Sequence, residues 1–373
     1  MARSAAVRPK VFLGSDDAPR EMGELRGYVA VHSQGLGHAT RAVALARGLL
    51  ERRPDVDLLF LAGSPALDLV VANGFDALTM PPAPDWRAAD GVLGPAWRWY
   101  LDYARYLRIA RRFLRKEADW GYYRFVISDS ELATAREAVR RRIPTALILD
   151  ATRHEFARDP LSRFVEGCGN VWLSRFARKV DLVLTAEPGP AWPNVRRVGP
   201  IVRPFSAPRE RLRDDFFFRK KTILVTGGGT AIGEFLIGAS MDAFRELNLD
   251  DVSMVVVSGP KLKVEPAPGV YTYGFLPNLH DYVLAADLVI TTAGKGTVNE
   301  ALAAGTPVIA IPPRGHAEAE RNAAALGYGH EDVQRLKEMI PAKLALGRLP
   351  PARTGNAEAI GFLAEFLETV GNR

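Results

Sequence analysis

Short runs of consecutive apolar residues recur along the chain, and most are followed by a longer segment with helical spacing of its apolar positions. Runs that are apolar at every position are typical of strands buried on both faces of a sheet. Intervening helices of about ten residues or more fit the crossovers that parallel strands require. The pattern therefore predicts a parallel sheet covered by helices, with strands in the first half at 28–31, 57–61, 75–80, 125–129, 145–149 and 181–185.

Six prolines between positions 187 and 220 interrupt this series, so that segment is predicted to be an irregular connection between domains. The pattern then restarts, with predicted strands at 222–226, 254–257, 270–273, 288–291 and 308–311. A chain of 373 residues can form two such domains, each with its own core. We expect an α/β protein with an extension at 1–26 that includes a short strand at 11–14, Rossmann-like domains at 27–200 and 201–355, and a helix at 356–373 that could pack back on the first domain.

Glycines stand at three of the predicted strand–helix junctions, where a backbone without side chains can approach a ligand closely. A strand, a glycine turn and a helix N-terminus together direct backbone N–H groups and the positive end of the helix dipole at an anion. In the alternative interpretation, these glycines only allow tight turns for packing, and Lys295 is a solvated surface residue. The junctions predict phosphate-binding loops that contain Gly35, Gly37, Gly228, Gly229, Thr230, Gly294, Lys295, Gly296 and Thr297.

Neither of two common nucleotide motifs fits these loops. Thr40 stands where a dinucleotide fingerprint has its third glycine, and no acidic residue ends a strand about 20 residues further on. The loop around Lys295 is not a P-loop, because Val289 occupies the first glycine position and Gly296 follows the lysine. We therefore do not expect an NAD-binding protein or a P-loop nucleotidase.

His38 and Asp129 are the predicted catalytic residues. His38 follows Gly37 at a predicted helix N-terminus, where the helix dipole disfavours the imidazolium and favours a neutral side chain that can accept a proton. Asp129 ends the strand at 125–129 on the same sheet edge, so it could contact His38 or an acceptor. In the alternative interpretation, His38 only makes a structural hydrogen bond and Asp129 only caps a helix.

Composition narrows the class of protein. The single cysteine, Cys168, excludes an intramolecular disulfide and a cysteine-based zinc site. No apolar run approaches the roughly 18 residues of a membrane span, and the polar, basic N-terminus lacks the apolar core of a secretory signal. We expect a cytoplasmic protein without a cofactor or a bound metal.

The segment at 97–124 is rich in arginines and aromatic residues, and the formal net charge of the chain is +6. A basic, aromatic amphipathic helix can lie on an anionic membrane surface. The same features can bind nucleic acid, and a surface helix with its apolar face in the core is the plain alternative. We expect membrane-surface contact rather than a nucleic-acid partner.

The G-x-G-H-x-x-R sequence formed by Gly35, Gly37, His38 and Arg41 resembles the N-terminal signature of the MurG-like glycosyltransferases of family 28 and their archaeal relatives. It also resembles the nucleotide-sugar hydrolase of pseudaminic acid biosynthesis. The resemblance is strongest at 28–48 and 270–326 and implies a GT-B fold, with two Rossmann-like domains facing each other across a cleft. It implies that His38 takes part in catalysis.

The same resemblance implies roles for residues of the second domain. The nucleotide base would lie against the backbone near Phe275, Glu300 would bind ribose hydroxyls from the first turn of its helix, and Glu318 and Asn322 would lie at the donor sugar. Two positions depart from the family pattern, because Lys295 replaces a small residue and Ala319 replaces a glutamine. Lys295 could neutralise the leaving diphosphate, and both departures leave the identity of the sugar open.

The sequence thus predicts a metal-independent transfer of a sugar from a nucleotide-sugar, expected to be a UDP-sugar, to an acceptor hydroxyl. The acceptor could be a glycan or lipid-linked and membrane-proximal. The alternatives are a nucleotide-sugar hydrolase or epimerase of the same fold, in which His38 would activate water, and a non-catalytic nucleotide-sugar-binding subunit.

Overall fold

The computed structural model describes residues 11–12, 25–85, 88–89, 92–155, 157, 159–186, 192–228, 231–259 and 262–371. None of the helices in these ranges combines the length and the hydrophobicity of a transmembrane span. Two parallel sheets, each covered by helices, account for most of the fold.

The first sheet has eight strands, in the order β1-β4-β3-β2-β7-β8-β9-β10. All neighbours are parallel except β1 and β4, while β5 and β6 form a separate antiparallel ribbon. The strands are β1 Val11–Phe12, β2 Leu25–Val31, β3 Val56–Ala62, β4 Ala77–Thr79, β5 Ala88–Ala89, β6 Val92–Leu93, β7 Phe125–Asp129, β8 Thr145–Leu149, β9 Leu182–Thr185 and β10 Val195–Arg197. The helices of this half are α1 Gly37–Arg52, α2 Ala66–Ala72, α3 Ala96–Glu117, α4 Leu132–Arg140 and α5 Pro160–Ala177.

The second sheet has five parallel strands, in the order β13-β12-β11-β14-β15. Its strands are β11 Lys221–Thr226, β12 Val252–Val257, β13 Val270–Tyr273, β14 Leu288–Thr291 and β15 Val308–Ala310. The accompanying helices are α6 Arg209–Asp215, α7 Glu234–Leu247, α8 Leu279–Ala285, α9 Lys295–Ala304, α10 Ala317–Ala324, α11 Leu336–Leu346 and α12 Asn356–Gly371, with 3₁₀ turns at Ala231–Gly233 and His330–Arg335.

The C-terminal helix α12 follows the second sheet in the chain but packs in the core of the first. Leu363 and Leu367 are buried in the same hydrophobic cluster as Leu49 of α1, and the Phe366 ring lies edge-on to Phe125 at 6.5 Å between centroids. The chain thus crosses between the two halves twice.

The two crossings lie side by side. The Gly355 N–H donates to the Pro200 carbonyl at 2.7 Å. The Asn356 side chain pairs with the Val202 backbone in both directions, at 3.0 and 2.7 Å. The Gly199 and Gly355 backbones approach so closely that a Cβ on Gly355 would lie 2.3 Å from the Gly199 nitrogen. Close backbone packing and three hydrogen bonds therefore join the two connecting segments.

The proline-rich connection is more regular than predicted. β10 extends the first sheet alongside β9, and α6 packs against α8. The prolines lie between these elements, since Pro193 precedes β10 and Pro208 occupies the N-cap of α6. The prediction of an irregular segment was therefore wrong within its described part, 192–220, because proline excludes the interior of an element but not its first position.

Candidate functional site

A cleft of about 540 Å³ lies between the two halves, and residues from both line it. It is formed by loops that follow strands of both sheets, which is where parallel α/β sheets bind ligands. The lining includes twelve of the predicted site residues, namely Gly35, Gly37, His38, Gly228, Phe275, Gly294, Lys295, Gly296, Thr297, Glu300, Glu318 and Asn322. Gly229 and Thr230 lie outside the described residues, and Asp129 is buried beneath His38.

Two helix N-termini meet in this cleft. α1 begins at Gly37 and α9 begins at Lys295. A Cβ on Gly296 would lie 3.9 Å from the Gly37 Cα, which is van der Waals contact, so the two helix ends lie side by side. Because each N-terminus carries unpaired N–H groups and a partial positive charge, the meeting point favours an anionic group such as a diphosphate.

His38 and Asp129 form a hydrogen-bonded pair. The His38 Nδ1 lies 2.8 Å from the Asp129 Oδ1, and Asp129 is completely buried. Since a carboxylate only accepts, Nδ1 carries the proton and Nε2 keeps its lone pair. The two residues that the sequence placed on one sheet edge are therefore in direct contact, with the imidazole on the cleft side.

Arg41 connects this pair to a second carboxylate. Its Nε donates to the Asp129 Oδ2 at 2.7 Å and its Nη2 to the Asp129 Oδ1 at 2.6 Å. Its Nη1 donates to the Asp150 Oδ1. Asp150 lines the cleft, and its Oδ2 lies 4.0 Å from the His38 Nε2. One arginine thus holds both carboxylates around the imidazole.

These charges determine the protonation of His38. Burial of the imidazole lowers its pKa, but the hydrogen bond to Asp129 and the charges of Asp129 and Asp150 outweigh burial and raise the His38 pKa above its usual value. Burial raises the pKa of Asp129, but Arg41 and His38 outweigh it and hold that pKa below its usual value. The expectation that the helix dipole favours a neutral His38 was wrong in direction, because two close carboxylates outweigh a partial charge.

A second histidine lies beneath the first and is held neutral. The His32 Nδ1 accepts a hydrogen bond from the Gln34 N–H at 3.2 Å. Burial, followed by the nearby His38, lowers the pKa of His32 to about 3. His32 therefore remains uncharged at neutral pH and adds no cation to the floor of the cleft.

On the other side of the cleft, the loop between β14 and α9 is conformationally constrained. Ala293 has a positive φ of 60°, which is uncommon for a residue with a side chain. The Asn322 Nδ2 donates to the Ala293 carbonyl at 3.0 Å. Gly228 in the facing loop has a φ of 79°, and a side chain placed there would put its Cβ 3.6 Å from the Thr292 hydroxyl. Asn322 therefore holds the loop that presents the N-terminus of α9.

Glu300 is paired with an arginine of the connection between the halves. The Arg203 Nε donates to the Glu300 Oε1 at 3.1 Å, and both side chains are about 95% buried. Arg203 also donates to the Pro277 carbonyl. Because α9 begins at Lys295, Glu300 lies on the second turn, so its predicted position on the first turn was wrong.

Glu318 and Ala319, two further residues that the sequence singled out, lie in α10. Glu318 lies in the first turn of α10, whose N-cap, His316, accepts a hydrogen bond from the Ala319 N–H at 3.3 Å. Ala319 is buried in the apolar cluster on one face of the second sheet. Ala319, one of the two departures from the family pattern, is therefore a core side chain that also lines the cleft.

Four aromatic side chains of α3 and α5 form the opposite wall of the cleft, beside His38. They are Trp99, Tyr100, Tyr103 and Trp172. The Trp99 and Tyr103 rings are stacked at 4.9 Å between centroids, and the Tyr103 ring lies 5.7 Å from the His32 ring. We call these four residues the aromatic wall.

Sequence reasoning missed the role of three polar residues. Asp150 follows β8 directly, at the same sheet edge as Asp129, so the rule that singled out Asp129 also applies to it. Arg41 was part of the quoted motif but had no assigned partner. Arg203 lies in the connection, where no periodicity indicates which way a side chain points.

Among the described residues no group of three or more histidine, cysteine or acidic side chains could hold a metal ion.

Residues 222–344 match the family model described as the glycosyltransferase family 28 C-terminal domain. A relative from Mycolicibacterium vanbaalenii is 29% identical over 309 residues, which are 77% of this chain and 72% of that protein. It is named UDP-N-acetylglucosamine--N-acetylmuramyl-(pentapeptide) pyrophosphoryl-undecaprenol N-acetylglucosamine transferase. A protein of Methanosarcina acetivorans, named an uncharacterized glycosyltransferase, is 26% identical over 325 residues, covering 79% of this chain and 80% of that one.

Solved structures support the same fold. The MurG structure from Acinetobacter baumannii superimposes with a TM-score of 0.53 at 16% identity, covering 91% of this chain and 99% of that one. The structure titled as the glycotransferase of kitacinnamycin superimposes with a TM-score of 0.60 at 15% identity, covering 95% and 96%. Two parallel sheets with a cleft between them and these neighbours establish the GT-B fold.

Proposed function

Because this chain is a GT-B glycosyltransferase that resembles the MurG-like enzymes and carries a family 28 C-terminal domain, we propose that it transfers a sugar from a UDP-sugar to an acceptor hydroxyl without a metal ion. The observation that carries the proposal is the placement of the His38–Asp129 pair in the same cleft as the N-terminus of α9. A general base and an anion site on opposite walls are what such a transfer requires.

In the proposed reaction the acceptor oxygen attacks the anomeric carbon while the bond from that carbon to the diphosphate oxygen breaks. The acceptor proton moves to the His38 Nε2, and the resulting imidazolium is stabilised by Asp129. The nucleoside diphosphate leaves with the bonding electron pair. Its charge is stabilised by the N-terminus of α9 and by Lys295 at the first position of that helix.

The donor assignments follow from the second half of the cleft. We propose that the diphosphate contacts the loops at Gly228 and 294–297, and that the base lies near Phe275. Ribose hydroxyls would bind Glu300, whose carboxylate Arg203 orients through the buried ion pair. Glu318, on the first turn of α10, would contact the sugar.

The proposal is tested by supplying UDP- and GDP-sugars with and without acceptors, in the presence and absence of EDTA. We expect acceptor-dependent release of UDP that EDTA leaves unchanged. Lys295→Ala should weaken UDP binding roughly 10- to 150-fold, since a charge-assisted contact is worth about 1.5–3 kcal/mol. Binding is measured by calorimetry and turnover by mass spectrometry of the product.

Lys263, which does not line the cleft among the described residues, provides the matched control, and Lys263→Ala should bind UDP as the wild type does. Rapid hydrolysis without acceptor would instead identify a hydrolase. Loss of transfer with EDTA and recovery with Mg²⁺ would contradict metal independence. Binding of UDP-sugars without turnover of any would favour a non-catalytic subunit.

We also propose that the outer face of α3 rests on an anionic membrane surface, which would place the cleft near a membrane-bound acceptor. α3 buries Tyr106, Ala110 and Leu114, while Leu101 and Ile109 are exposed by 61% and 44%. The adjoining α5 exposes Leu161 and Phe164, and several arginines of α3 are exposed, including Arg105, Arg108 and Arg112. A basic surface with exposed apolar side chains suits such a membrane.

Replacement of Arg108 and Arg112 by glutamine should reduce binding to phosphatidylglycerol vesicles roughly 30-fold, since each arginine contributes about 1 kcal/mol at an anionic surface. Co-sedimentation at two salt concentrations measures the effect, and binding of the wild type should weaken as salt rises. The matched control replaces Arg245 and Arg335, which are exposed on the second half. An equal loss in both pairs of variants would show that only net charge matters.

A further inference from the structure

We propose that Asp150 selects the acceptor: one oxygen of its carboxylate accepts a hydrogen bond from a second hydroxyl, beside the hydroxyl that His38 deprotonates. The acceptor is then a sugar or another polyol that carries two hydroxyls close together. This inference rests on the proposed function, since it concerns the acceptor of the same transfer. Its observations are the fixed position of the carboxylate, the separation of two hydrogen-bond acceptor atoms in the cleft, and the charges around them.

Asp150 is held in one orientation, with one carboxylate oxygen left for a ligand. It follows β8 directly and lines the cleft, where its side chain is 29% exposed. The Arg41 Nη1 donates to the Asp150 Oδ1, and two hydrogen bonds to the buried Asp129 fix Arg41 in turn. Within the described part of the chain, no residue donates a hydrogen bond to the Asp150 Oδ2. Because a carboxylate oxygen only accepts, Oδ2 can bind a hydroxyl of a ligand.

Two acceptor atoms on this wall are separated by a distance that fits two hydroxyls. The Asp150 Oδ2 lies 4.0 Å from the His38 Nε2, which is longer than a hydrogen bond. Nε2 carries the lone pair of the neutral imidazole, because Nδ1 donates to Asp129. One hydroxyl has a single proton and donates to only one of these atoms. A second hydroxyl, on the adjacent carbon or the next one along, supplies the proton for the other.

The charges assign different tasks to the two atoms. Burial raises the pKa of Asp150, but nearby charges outweigh burial and hold the Asp150 pKa well below its usual value. In order of effect, these charges belong to Arg41, His38 and Lys295. Asp150 therefore stays ionised and is a weak base, whereas the raised pKa of His38 makes the imidazole the stronger base. His38 takes the proton of the attacking hydroxyl, and Asp150 holds the neighbouring hydroxyl without deprotonating it.

The net charge of the cluster also favours a neutral donor at this point. When His38 is neutral, Asp129 and Asp150 carry two negative charges and Arg41 carries one positive charge. The remaining negative charge disfavours a phosphate or carboxylate of the acceptor beside Nε2. In the transfer, the attacking oxygen forms the bond to the anomeric carbon, its proton moves to Nε2, and the diphosphate leaves with the bonding electron pair. The second hydroxyl stays intact and bonded to Asp150.

The test compares octyl β-D-glycosides of glucose, galactose and N-acetylglucosamine with their monodeoxy analogues, with UDP-sugars as donors. Mass spectrometry and NMR of the product identify the attacking hydroxyl. Among analogues that keep this hydroxyl, removal of a neighbouring one should lower kcat/KM about 10- to 150-fold, the usual effect of losing a hydrogen bond to a charged group. This comparison uses the wild type alone and does not depend on the folding of any variant.

Replacement of the carboxylate should remove this preference. Asp150→Asn should reduce it to a few-fold, because a hydrogen bond between neutral groups is weaker, and Asp150→Ala should abolish it. Both variants also change the basicity of His38, but that change affects all acceptors equally and cancels in the ratio of kcat/KM values. Glu155→Gln, at an exposed side chain on the same loop, is the matched control and should keep the preference.

Equal use of the parent glycosides and all their deoxy analogues by the wild type would overturn the inference, as would a preference that Asp150→Ala retains. Equally efficient transfer to 1-octanol, which has a single hydroxyl, would also overturn it and leave the proposed function standing. So would transfer to another alcohol when no glycoside of the panel is bound or used.

Binding of the glycosides in the presence of UDP is measured by calorimetry, apart from turnover. A binding preference that depends on Asp150, without transfer from any UDP-sugar, would overturn the proposed function and leave the Asp150 contact standing. Neither binding nor transfer with any acceptor would overturn both.

Discussion

Replacement of His38 by alanine is expected to lower kcat/KM for sugar transfer by about 10²–10⁴-fold, the usual contribution of a general base. The reason is that Nε2 is the only basic atom of the His38–Asp129 pair that remains for an acceptor once Nδ1 is bonded to Asp129. UDP binding, measured by calorimetry, should stay within twofold of the wild type, because the donor contacts belong to the other half of the cleft.

The pH dependence of the wild type checks the same assignment. Asp129 and Asp150 raise the His38 pKa, and the base acts only when neutral, so kcat/KM should rise with pH through a value above 6.5. Asp150→Asn removes one of these charges and should shift this rise of kcat/KM to lower pH. Full turnover in His38→Ala, or a pH profile that is the same in Asp150→Asn and the wild type, would contradict a base role for His38.

Replacement of Arg41 by methionine is expected to lower the free energy of unfolding by about 3–5 kcal/mol, as the loss of one partner from a buried charge cluster does. Asp129 is completely buried, and without Arg41 it keeps only the bond to His38. Urea unfolding at neutral pH measures the loss. The matched variant Arg47→Met, on the exposed side of the same helix, should lose about 0.5 kcal/mol or less.

The loss in Arg41→Met should depend on pH in a defined direction. In the wild type the lowered pKa of Asp129 contributes stability above the usual carboxyl pKa, and this contribution is lost as pH falls through the lowered value. Without Arg41 the Asp129 pKa rises, so the deficit should be greatest near neutral pH and shrink as Asp129 is protonated. A deficit below 1 kcal/mol, or one that is constant with pH, would rule out the charge explanation.

Much of the fold could be predicted because parallel strands buried on both faces leave a direct mark in the sequence. The runs at 125–129 and 145–149 correspond to β7 and β8 at the same bounds. The order of strands in each sheet is not written in this pattern, since it depends on which crossovers the helices take. Whether α12 packs against the first or the second half depends on close contacts, such as that of Ile360 with Gly48. Such contacts leave no mark in the periodicity of the sequence.

The positions of the site residues that follow from backbone rules could be predicted. Protonation states that depend on charges brought together in the tertiary structure could not. His38 and Asp129 could be placed together because the carboxyl ends of parallel strands share one edge. The protonation of His38 could not, since it depends on Asp150 and Arg41 as well as on the helix dipole. The same limit applies to α3, whose sequence indicates a basic surface but not the partner, α5, that completes the aromatic wall.

The paired crossings at Gly199 and Gly355 tie the second half of the chain to the first. The two connections pass side by side there, and α12 returns into the first core. The halves also touch at the cleft, where the Arg321 Nη1 donates to the Glu155 carbonyl at 3.0 Å and Phe275 packs against the first core. A change in the relative position of the halves would therefore disturb polar and apolar contacts together.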